Sequence, residues 1–279
     1  MPRFTFRQVD VFTAQPFKGN PLAVVVDAEG LSDAQMQQIA NWTNLSETTF
    51  LTRPTDPGAD YRVRIFTPAR ELPFAGHPTL GSCQVWLDQG NKPKAEHIVQ
   101  QCAAGLVRIK RDGSRLAFAA PPLVKSGAVE PELLDRIARS LGLTAGDIKA
   151  SQWIDNGPGW VGVMLGSRRQ LLDVKCDYTI LGKRALGVVA PCDAPRDGID
   201  AQFELRGFAG FLGIEDPVTG SLNASMAQWL IGAGIAPPTY VAAQGTALGR
   251  AGRIHVSKEG DDVWIGGDTV TCVEGTLSF

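Results

Sequence analysis

The chain has 279 residues, of which 44% are hydrophobic and 20% are charged, as in an ordinary folded protein and unlike a disordered one. It carries 27 Lys and Arg against 29 Asp and Glu, and its formal net charge of -2 argues against the basic surface that general nucleic-acid binding needs. No segment approaches the roughly 20 apolar residues of a membrane span, and the N-terminus lacks the apolar core of a signal peptide. We therefore expect a cytoplasmic protein with no nucleic-acid or membrane partner, of a length that favours two domains.

The first half of the chain alternates strand and helix patterns. A period-two run covers residues 4–12, and a second apolar run covers 22–26 after a Gly-Asn-Pro turn. Ser32 and Gln35 form a capping-box pattern that opens a helix of about three turns. We further predict strands near 49–51 and over 61–66, a helix over 78–87 with proline in its first turn, and a hairpin over 97–120.

The second half repeats these patterns after the paired prolines Pro121 and Pro122, which favour an extended connection. We place a domain boundary there, with an N-terminal domain over residues 1–118 and a C-terminal domain over 119–264. The second domain is predicted to contain a helix over 131–139, strands over 160–165 and 203–206, a helix after Asp216-Pro217, and strands from 253 onward. The class is α+β with much antiparallel pairing.

The cysteines and histidines are too scattered to indicate a metal site or a disulfide framework. The five cysteines, an odd number, include no Cys-x-x-Cys pair. Of the three histidines, His97 and His255 lie in alternating sequence and are predicted to be plain strand residues. We predict no metal site.

A short repeat links the two halves. Arg64-Ile-Phe66 is followed by His77-Pro-Thr-Leu-Gly-Ser82, and Arg206-Gly-Phe208 is followed by Asp216-Pro-Val-Thr-Gly-Ser221. A match this short also arises by chance. If it reflects duplication, it predicts two domains that each present one helix N-terminus.

Helix N-termini of this kind suit an anion. Their backbone N–H groups are unpaired and carry partial positive charge, and small residues such as Gly76, Gly220 and Ser221 allow close approach. Two such termini facing one cleft would hold a carboxylate without a metal. The alternative is that these segments are simply good helix starts.

Three titratable residues are candidates for chemistry. Glu47 lies between the first helix and a strand with uncharged neighbours, and partial burial there would raise its pKa toward the range of a proton carrier. The alternative is an exposed turn glutamate. His77 and Asp216 each precede a proline near a helix start, where they either face a ligand or merely cap the helix.

Four ordered motifs together resemble the PhzF family of phenazine-biosynthesis-like proteins. They are Asp10-Val-Phe12 with Phe17-Lys-Gly-Asn-Pro21, Leu45-Ser-Glu-Thr-Thr-Phe50, Arg64-Ile-Phe-Thr-Pro68 through Gly76-His-Pro-Thr79, and Glu215-Asp-Pro-Val-Thr-Gly-Ser221. The resemblance covers nearly the whole chain. It implies a diaminopimelate-epimerase-like fold in which two similar α+β domains each wrap a curved mixed sheet around a central helix, with the active site in the cleft between them. The last strand, about 265–279, would then join the first domain.

The resemblance also implies roles for residues. Glu47 matches the glutamate that shuttles a proton, and His77 and Asp216 match residues around the reacting end of the substrate. The residues that match substrate-binding positions are Asn20, Gly76, Gly220 and Ser221. The family's type member isomerises dihydro-3-hydroxyanthranilate as a homodimer without metal or coenzyme, so the resemblance implies a homodimer with a small anionic substrate and no cofactor.

One departure from the family bears on the substrate, and the placement of the cysteines bears on the reaction. Leu222 stands where the family usually has a small residue, and we expect it to narrow the pocket. No cysteine lies in the Gly76-His77 or Asp216–Ser221 motifs, which disfavours a racemase with two facing thiols. We predict a cofactor-independent isomerase that moves a proton on a carboxylate-bearing cyclic or amino-acid-like metabolite. The alternatives are a non-catalytic binding protein for such an anion and a two-base epimerase that uses Glu47 and Asp216.

Overall fold

The computed structural model describes residues 2–279 and divides the chain into two compact units. The first unit contains the residues up to 119 together with 266–279, and the second contains residues 120–265. The domain boundaries predicted from sequence concern segments that fold independently. They stay a prediction. No helix within residues 2–279 is both long and apolar enough to cross a membrane.

The first unit is a mixed sheet with two helices. Its helices are α1 (Asp33–Thr43) and α2 (Gly76–Asp88), and its strands are β1 (Arg3–Val11), β2 (Asn20–Val26), β3 (Glu47–Thr52), β4 (Tyr61–Phe66), β5 (Glu71–Leu72), β6 (Ile98–Cys102), β7 (Gly105–Asp112), β8 (Arg115–Ala119) and β18 (Thr269–Ser278). Strand β1 pairs antiparallel with β18 and β2, β2 runs parallel to β3, and β3 pairs antiparallel with β4. Strand β4 runs parallel to β6, and the meander β6–β7–β8 completes the sheet.

Helix α2 is the central helix of this unit. Its residues 76–83 are all buried, because small and apolar side chains cover its whole circumference in the first turns. A Cβ at Gly81 would lie 2.6 Å from Cδ2 of Leu22 and 3.0 Å from Cγ2 of Val9, so only glycine lets the helix approach the sheet this closely.

The second unit has the same plan. Its helices are α3 (Pro131–Ser140), α4 (Arg168–Asp173), α5 (Tyr178–Leu181), α6 (Ala194–Asp197) and α7 (Gly220–Gly232). Its strands are β9 (Lys125–Gly127), β10 (Ala150–Asp155), β11 (Trp160–Met164), β12 (Ala185–Pro191), β13 (Phe203–Ala209), β14 (Ile214–Asp216), β15 (Thr239–Gln244), β16 (Gly252–Glu259) and β17 (Asp262–Gly267), whose last two residues belong to the first unit. Strands β9 to β13 are neighbours in order, with β11 parallel to β12. Strand β13 then pairs with β14 and runs parallel to β15.

Helix α7 is the central helix of the second unit, and Leu222 explains its packing. The Leu222 side chain is fully buried, and a Cβ at Gly187 would lie 2.2 Å from its Cδ1. Gly207 also packs against this side chain, with its Cβ position 3.2 Å from Cδ2 of Leu222. The expectation that Leu222 narrows a ligand pocket is therefore wrong, since this side chain fills the core between the helix and two glycines of the sheet.

A strand–hairpin–helix motif occurs in both units. In the first unit, Glu71 of β5 precedes Gly76, the first residue of α2. In the second unit, Glu215 of β14 precedes Gly220, the first residue of α7, by the same number of residues. The repeat predicted from sequence was therefore out of register. It placed His77 opposite Asp216, whereas the helix starts match His77 with Ser221.

In each copy of this motif an arginine binds the carboxylate of a glutamate. Arg64 holds Glu71 through Nε and Nη2 at 2.8 and 2.7 Å, and its guanidinium carbon lies 5.1 Å from the ring centre of Phe66. Arg206 holds Glu215 at 2.9 and 2.6 Å and lies 5.0 Å from the ring centre of Phe208. The similarity of the two motifs thus extends to side-chain geometry.

Two local predictions need correction and two are confirmed. Helix α2 begins at Gly76 and not at Pro78, so Gly76 and His77 are helical residues of its first turn. His97 lies in a bend just before β6 and not within a strand, whereas His255 lies in β16 as predicted. The capping box of Ser32 and Gln35 is present at the start of α1.

Candidate active site

Glu47, His77 and Asn20 lie together in the first unit. Asn20 and Glu47 stand at the starts of the neighbouring parallel strands β2 and β3, which brings both to one edge of the sheet. His77 projects from the first turn of α2, and its Nε2 lies 3.3 Å from Oε2 of Glu47. The Glu47 side chain is 15% exposed and that of His77 is 5% exposed. The predicted proton carrier is therefore partly buried against an imidazole and is not an exposed turn glutamate.

Asn20 and Pro21 contact the ring of His77. Nδ2 of Asn20 lies 3.4 Å from Nδ1 of His77. The carbonyl of Pro21 also accepts a hydrogen bond from the ring, since proline has no backbone N–H to donate. Nε2 makes no hydrogen bond within residues 2–279, although it lies 3.3 Å from Oε2 of Glu47.

His77 is held neutral by its surroundings. Burial disfavours the imidazolium and lowers the pKa of His77 from 6.5 to about 3, and the hydrogen bond to the backbone of Pro21 opposes this shift only in part. A neutral imidazole does not form a full ion pair with Glu47. The carboxylate therefore keeps its capacity to accept a proton.

A pH dependence of stability follows from this neutral imidazole. In the unfolded chain His77 takes up a proton below about pH 6.5, whereas in the folded site it does so only below about pH 3. The free energy of unfolding therefore falls as the pH decreases through this window. Each pH unit costs up to about 1.4 kcal/mol. Glutamine takes up no proton. Between pH 7 and pH 5 the free energy of unfolding of His77→Gln should therefore fall by about 2 kcal/mol less than that of the wild type. Urea unfolding at both pH values measures this, and parallel losses in the two proteins would contradict a neutral His77.

The first turn of α2 has no side-chain cap. Its N-cap residue is Ala75, which has no capping group, and His77 makes no capping hydrogen bond. The alternative that His77 merely caps its own helix is therefore excluded. Backbone N–H groups at Gly76 and beyond leave a partial positive charge beside the Glu47–His77 pair.

Asp216 lies before α7 in the second unit and does not cap it. The N-cap of α7 is Thr219, and Oδ2 of Asp216 accepts a 2.6 Å hydrogen bond from the Thr219 hydroxyl. Gln244 of β15 donates from Nε2 to the Asp216 carbonyl at 3.1 Å and to the Thr219 hydroxyl at 3.0 Å. Asp216 is thus anchored through both its backbone and its side chain.

Ser221 and Gly220 form the first turn of α7. The Ser221 hydroxyl accepts a hydrogen bond from the indole N–H of Trp160 at 3.1 Å, and Asn156 donates to the Ser221 carbonyl at 3.0 Å. Because an indole nitrogen only donates, the hydroxyl oxygen is an acceptor there and its own proton points elsewhere. The Ser221 hydroxyl therefore has its proton left for a different acceptor.

The cysteines do not support thiol chemistry at these positions. Among residues 2–279 all five cysteines are free, and none lies in the first turn of α2 or α7. Cys83 is buried within α2, where desolvation raises the pKa of its thiol to about 12. No cluster of three or more His, Cys, Asp or Glu side chains with the geometry of a metal site occurs within the described residues.

Sequence reasoning missed the residues that support Asp216 and Ser221. Thr219, Gln244 and Trp160 are buried and hydrogen-bonded at the start of α7. Thr219 lies inside the Glu215–Ser221 motif, so the motif itself was the available signal. Trp160 is distant along the chain and carried no local signal, because its contact exists only in the folded unit.

Comparison with known proteins gives a consistent picture. The family model described as phenazine biosynthesis-like protein matches residues 9–275. A Schizosaccharomyces pombe protein named antisense-enhancing sequence 1 is 36% identical over 298 residues, covering 99% of each chain. Trans-2,3-dihydro-3-hydroxyanthranilate isomerase of Pseudomonas aeruginosa is 32% identical over 278 residues, covering 95% of this chain and 92% of the relative. A protein of Pasteurella multocida named as an uncharacterized isomerase is 32% identical, covering 98% and 94%.

Solved structures share the fold. The crystal structure of a phenazine biosynthesis protein of the PhzF family from Enterococcus faecalis superimposes with a TM-score of 0.82 at 26% identity, covering 100% of both chains. A hydroxyproline epimerase from Agrobacterium vitis superimposes with a TM-score of 0.59 at 14% identity, covering 99% of this chain and 92% of that one. The predicted α+β class of the diaminopimelate-epimerase type is confirmed.

Proposed function

The chain is an isomerase of the phenazine biosynthesis-like (PhzF) family, and we propose that it moves a proton on a small carboxylate-bearing metabolite of cyclic or amino-acid-like structure. We further propose that it does so without metal or coenzyme. The 32% identity to trans-2,3-dihydro-3-hydroxyanthranilate isomerase makes a cyclic amino acid with an activated C–H bond the first substrate to test.

The observation that carries the proposal is the contact between Glu47 and His77. A partly buried carboxylate lies 3.3 Å from Nε2 of an imidazole that burial keeps neutral. The carboxylate is consequently a base beside a neutral imidazole, a pair of groups suited to carbon-acid chemistry.

The proposed reaction transfers one proton between two carbons. A Glu47 oxygen accepts the proton from an activated C–H bond, the electron pair of that bond shifts along the unsaturated system, and Glu47 returns a proton to a second carbon. No net proton or electron enters or leaves. The imidazole of His77 lies beside Glu47, where it stabilises the negative charge that develops during the shift.

The first turns of α2 and α7 are the proposed anchors for the substrate carboxylate. Ala75 offers no cap to α2, and Thr219 directs its hydroxyl to Asp216 and not to the first N–H groups of α7. These N–H groups, with the Ser221 hydroxyl, suit an anion. Asn20 orients His77 in this scheme and helps to line the site.

Asp216 is proposed to contact the reacting end of the same substrate. This role, the shared cleft that it requires and the homodimer stay predictions. An Asp216→Asn variant that binds substrate normally and turns it over at the wild-type rate would remove Asp216 from the scheme.

The proposed function is tested by proton NMR in D₂O. A panel of trans-2,3-dihydro-3-hydroxyanthranilate, other cyclic carboxylates and proline-like amino acids is incubated with protein dialysed against EDTA. We expect at least one compound to exchange or migrate a C–H proton, at a rate that dialysis does not change. Binding without exchange across the panel would favour the non-catalytic binding protein, and inverted stereochemistry at one carbon would favour the two-base epimerase.

A further inference from the structure

The N-cap threonine of α7 does not cap its helix. Threonine is favoured at this position because its hydroxyl accepts from the N–H groups of the first turn. Thr219 is only 7% exposed and makes no such bond. Its hydroxyl instead lies 2.6 Å from Oδ2 of Asp216 and 3.0 Å from Nε2 of Gln244. The buried Thr219 hydroxyl therefore binds Asp216 and Gln244 in place of the helix N–H groups.

The amide orientation of Gln244 is fixed by its neighbours. Its Oε1 lies 3.0 Å from the backbone nitrogen of Thr219 and 2.8 Å from Nδ2 of Asn223, both of which only donate. Oε1 is therefore the accepting end. The other end, Nε2, donates to the Asp216 carbonyl at 3.1 Å, which only accepts. Gln244 is 1% exposed, so water does not replace these partners.

This orientation determines where the Thr219 proton goes. Because Nε2 of Gln244 donates to the Thr219 hydroxyl, the hydroxyl oxygen is an acceptor on that side. Its single proton is then directed to Oδ2 of Asp216 at 2.6 Å. Donation of this kind stabilises the ionised form of a carboxyl group and disfavours a proton on that oxygen.

We propose that Thr219 and Gln244 are positioning residues that hold Asp216 as an ionised hydrogen-bond acceptor in the isomerisation. This inference rests on the proposed function and adds the direction in which hydrogen bonds run at Asp216. Asp216 accepts a proton or a hydrogen bond from the amino or hydroxyl group of the substrate, and it does not act as the initial acid. Gln244 acts on the Asp216 carboxylate only through Thr219, and it holds the Asp216 backbone carbonyl directly.

The nearest charged pairs of strands β13 and β14 lie on the opposite face of the sheet from Asp216. Gly207 lies opposite Asp216 in the sheet, whereas Glu215 lies opposite Phe208, so the Arg206–Glu215 pair faces the other side of the sheet. Glu204 faces that side as well, in an ion pair with Arg168. A Cβ at Gly245 would lie 2.7 Å from Cβ of Arg250 and 2.7 Å from the carbonyl oxygen of Pro217, so Arg250 lies close in the fold to the residue that follows Asp216.

The test is a carboxyl ¹³C NMR titration of full-length protein labelled in aspartate, with the Asp216 signal identified by its loss in Asp216→Asn. We expect Thr219→Val to raise the titration midpoint of Asp216 by about one pH unit, since one hydrogen bond to the charged form is lost. Thr219→Ser restores the hydroxyl and should keep the wild-type midpoint. Thr239→Val, at an exposed position of β15, is the matched control and should also keep it. If Thr219→Val does not fold, Thr219→Ala removes the same hydroxyl without adding a methyl group.

Turnover of a compound from the panel supplies the second readout. Thr219→Val should lower kcat by about tenfold with little change in KM, and Thr219→Ser should recover it. An unchanged Asp216 midpoint in Thr219→Val or Thr219→Ala would overturn the inference. The titration needs no substrate, so a wild-type protein that turns nothing over would count against the proposed function and leave the titration to decide this inference.

Discussion

Replacing Glu47 with glutamine is expected to lower kcat by roughly 10²–10⁴, the range that general acid–base catalysis contributes. Glutamine keeps the size of the side chain but cannot take up a proton. The substrate should therefore still bind, and KM should change by less than about threefold because the groups proposed to hold its carboxylate are untouched.

The control for Glu47→Gln is Glu96→Gln, which makes the same chemical change at an exposed position before β6. It should keep the wild-type kcat. Steady-state rates of product formation for the three proteins measure the effect. A Glu47→Gln protein that turns over within about threefold of the wild type would remove Glu47 from the role of proton carrier.

The largest expected effect on stability comes from Arg206. Its side chain is 8% exposed and that of Glu215 is 9% exposed, and the guanidinium also donates to the backbone carbonyls of Leu171 and Val174 at 3.0 and 2.6 Å. Arg206→Met leaves a buried carboxylate and several carbonyls without a donor. We expect the free energy of unfolding to fall by about 3–5 kcal/mol.

The duplicated motif supplies a matched comparison. Arg64 holds Glu71 in the same geometry, but the side chains of Arg64, Glu71 and Asp33 are 18%, 36% and 83% exposed. Water replaces much of what Arg64→Met removes, so the expected loss is about 1 kcal/mol or less. Urea unfolding of both variants measures the difference. A double variant, Arg206→Met with Glu215→Met, should recover much of the loss because no unpaired charge remains. Equal losses of unfolding free energy in Arg206→Met and Arg64→Met would show that burial does not determine how much these ion pairs contribute to stability.

Local signals in the sequence predicted local structure well. The capping box at Ser32 and the alternating apolar residues of the strands gave elements close to those observed. The start of α2 was placed at Pro78 on the preference of proline for a first turn. The helix begins two residues earlier, at Gly76, because tertiary packing buries that turn and Ala75 supplies no capping signal to mark it.

The candidate site was predicted in part because its residues sit in motifs. Glu47, His77 and Asn20 were identified from their motifs, and the structure brings them into contact. Leu222 was misread, since its packing partners Gly187 and Gly207 lie on strands that are distant along the chain. The link from Gln244 through Thr219 to Asp216 likewise depends on tertiary contacts. Such contacts have no periodicity in sequence and follow only from the folded sheet.

The most direct test of the central claim is the rate at which wild type and Glu47→Gln exchange the substrate's activated C–H proton with D₂O, measured by proton NMR on the same compound. The account predicts exchange or migration with the wild type, and a rate at least about 100-fold lower with Glu47→Gln despite undiminished binding. Equal exchange by both proteins would contradict it, because the proton would then be moved by a group other than Glu47.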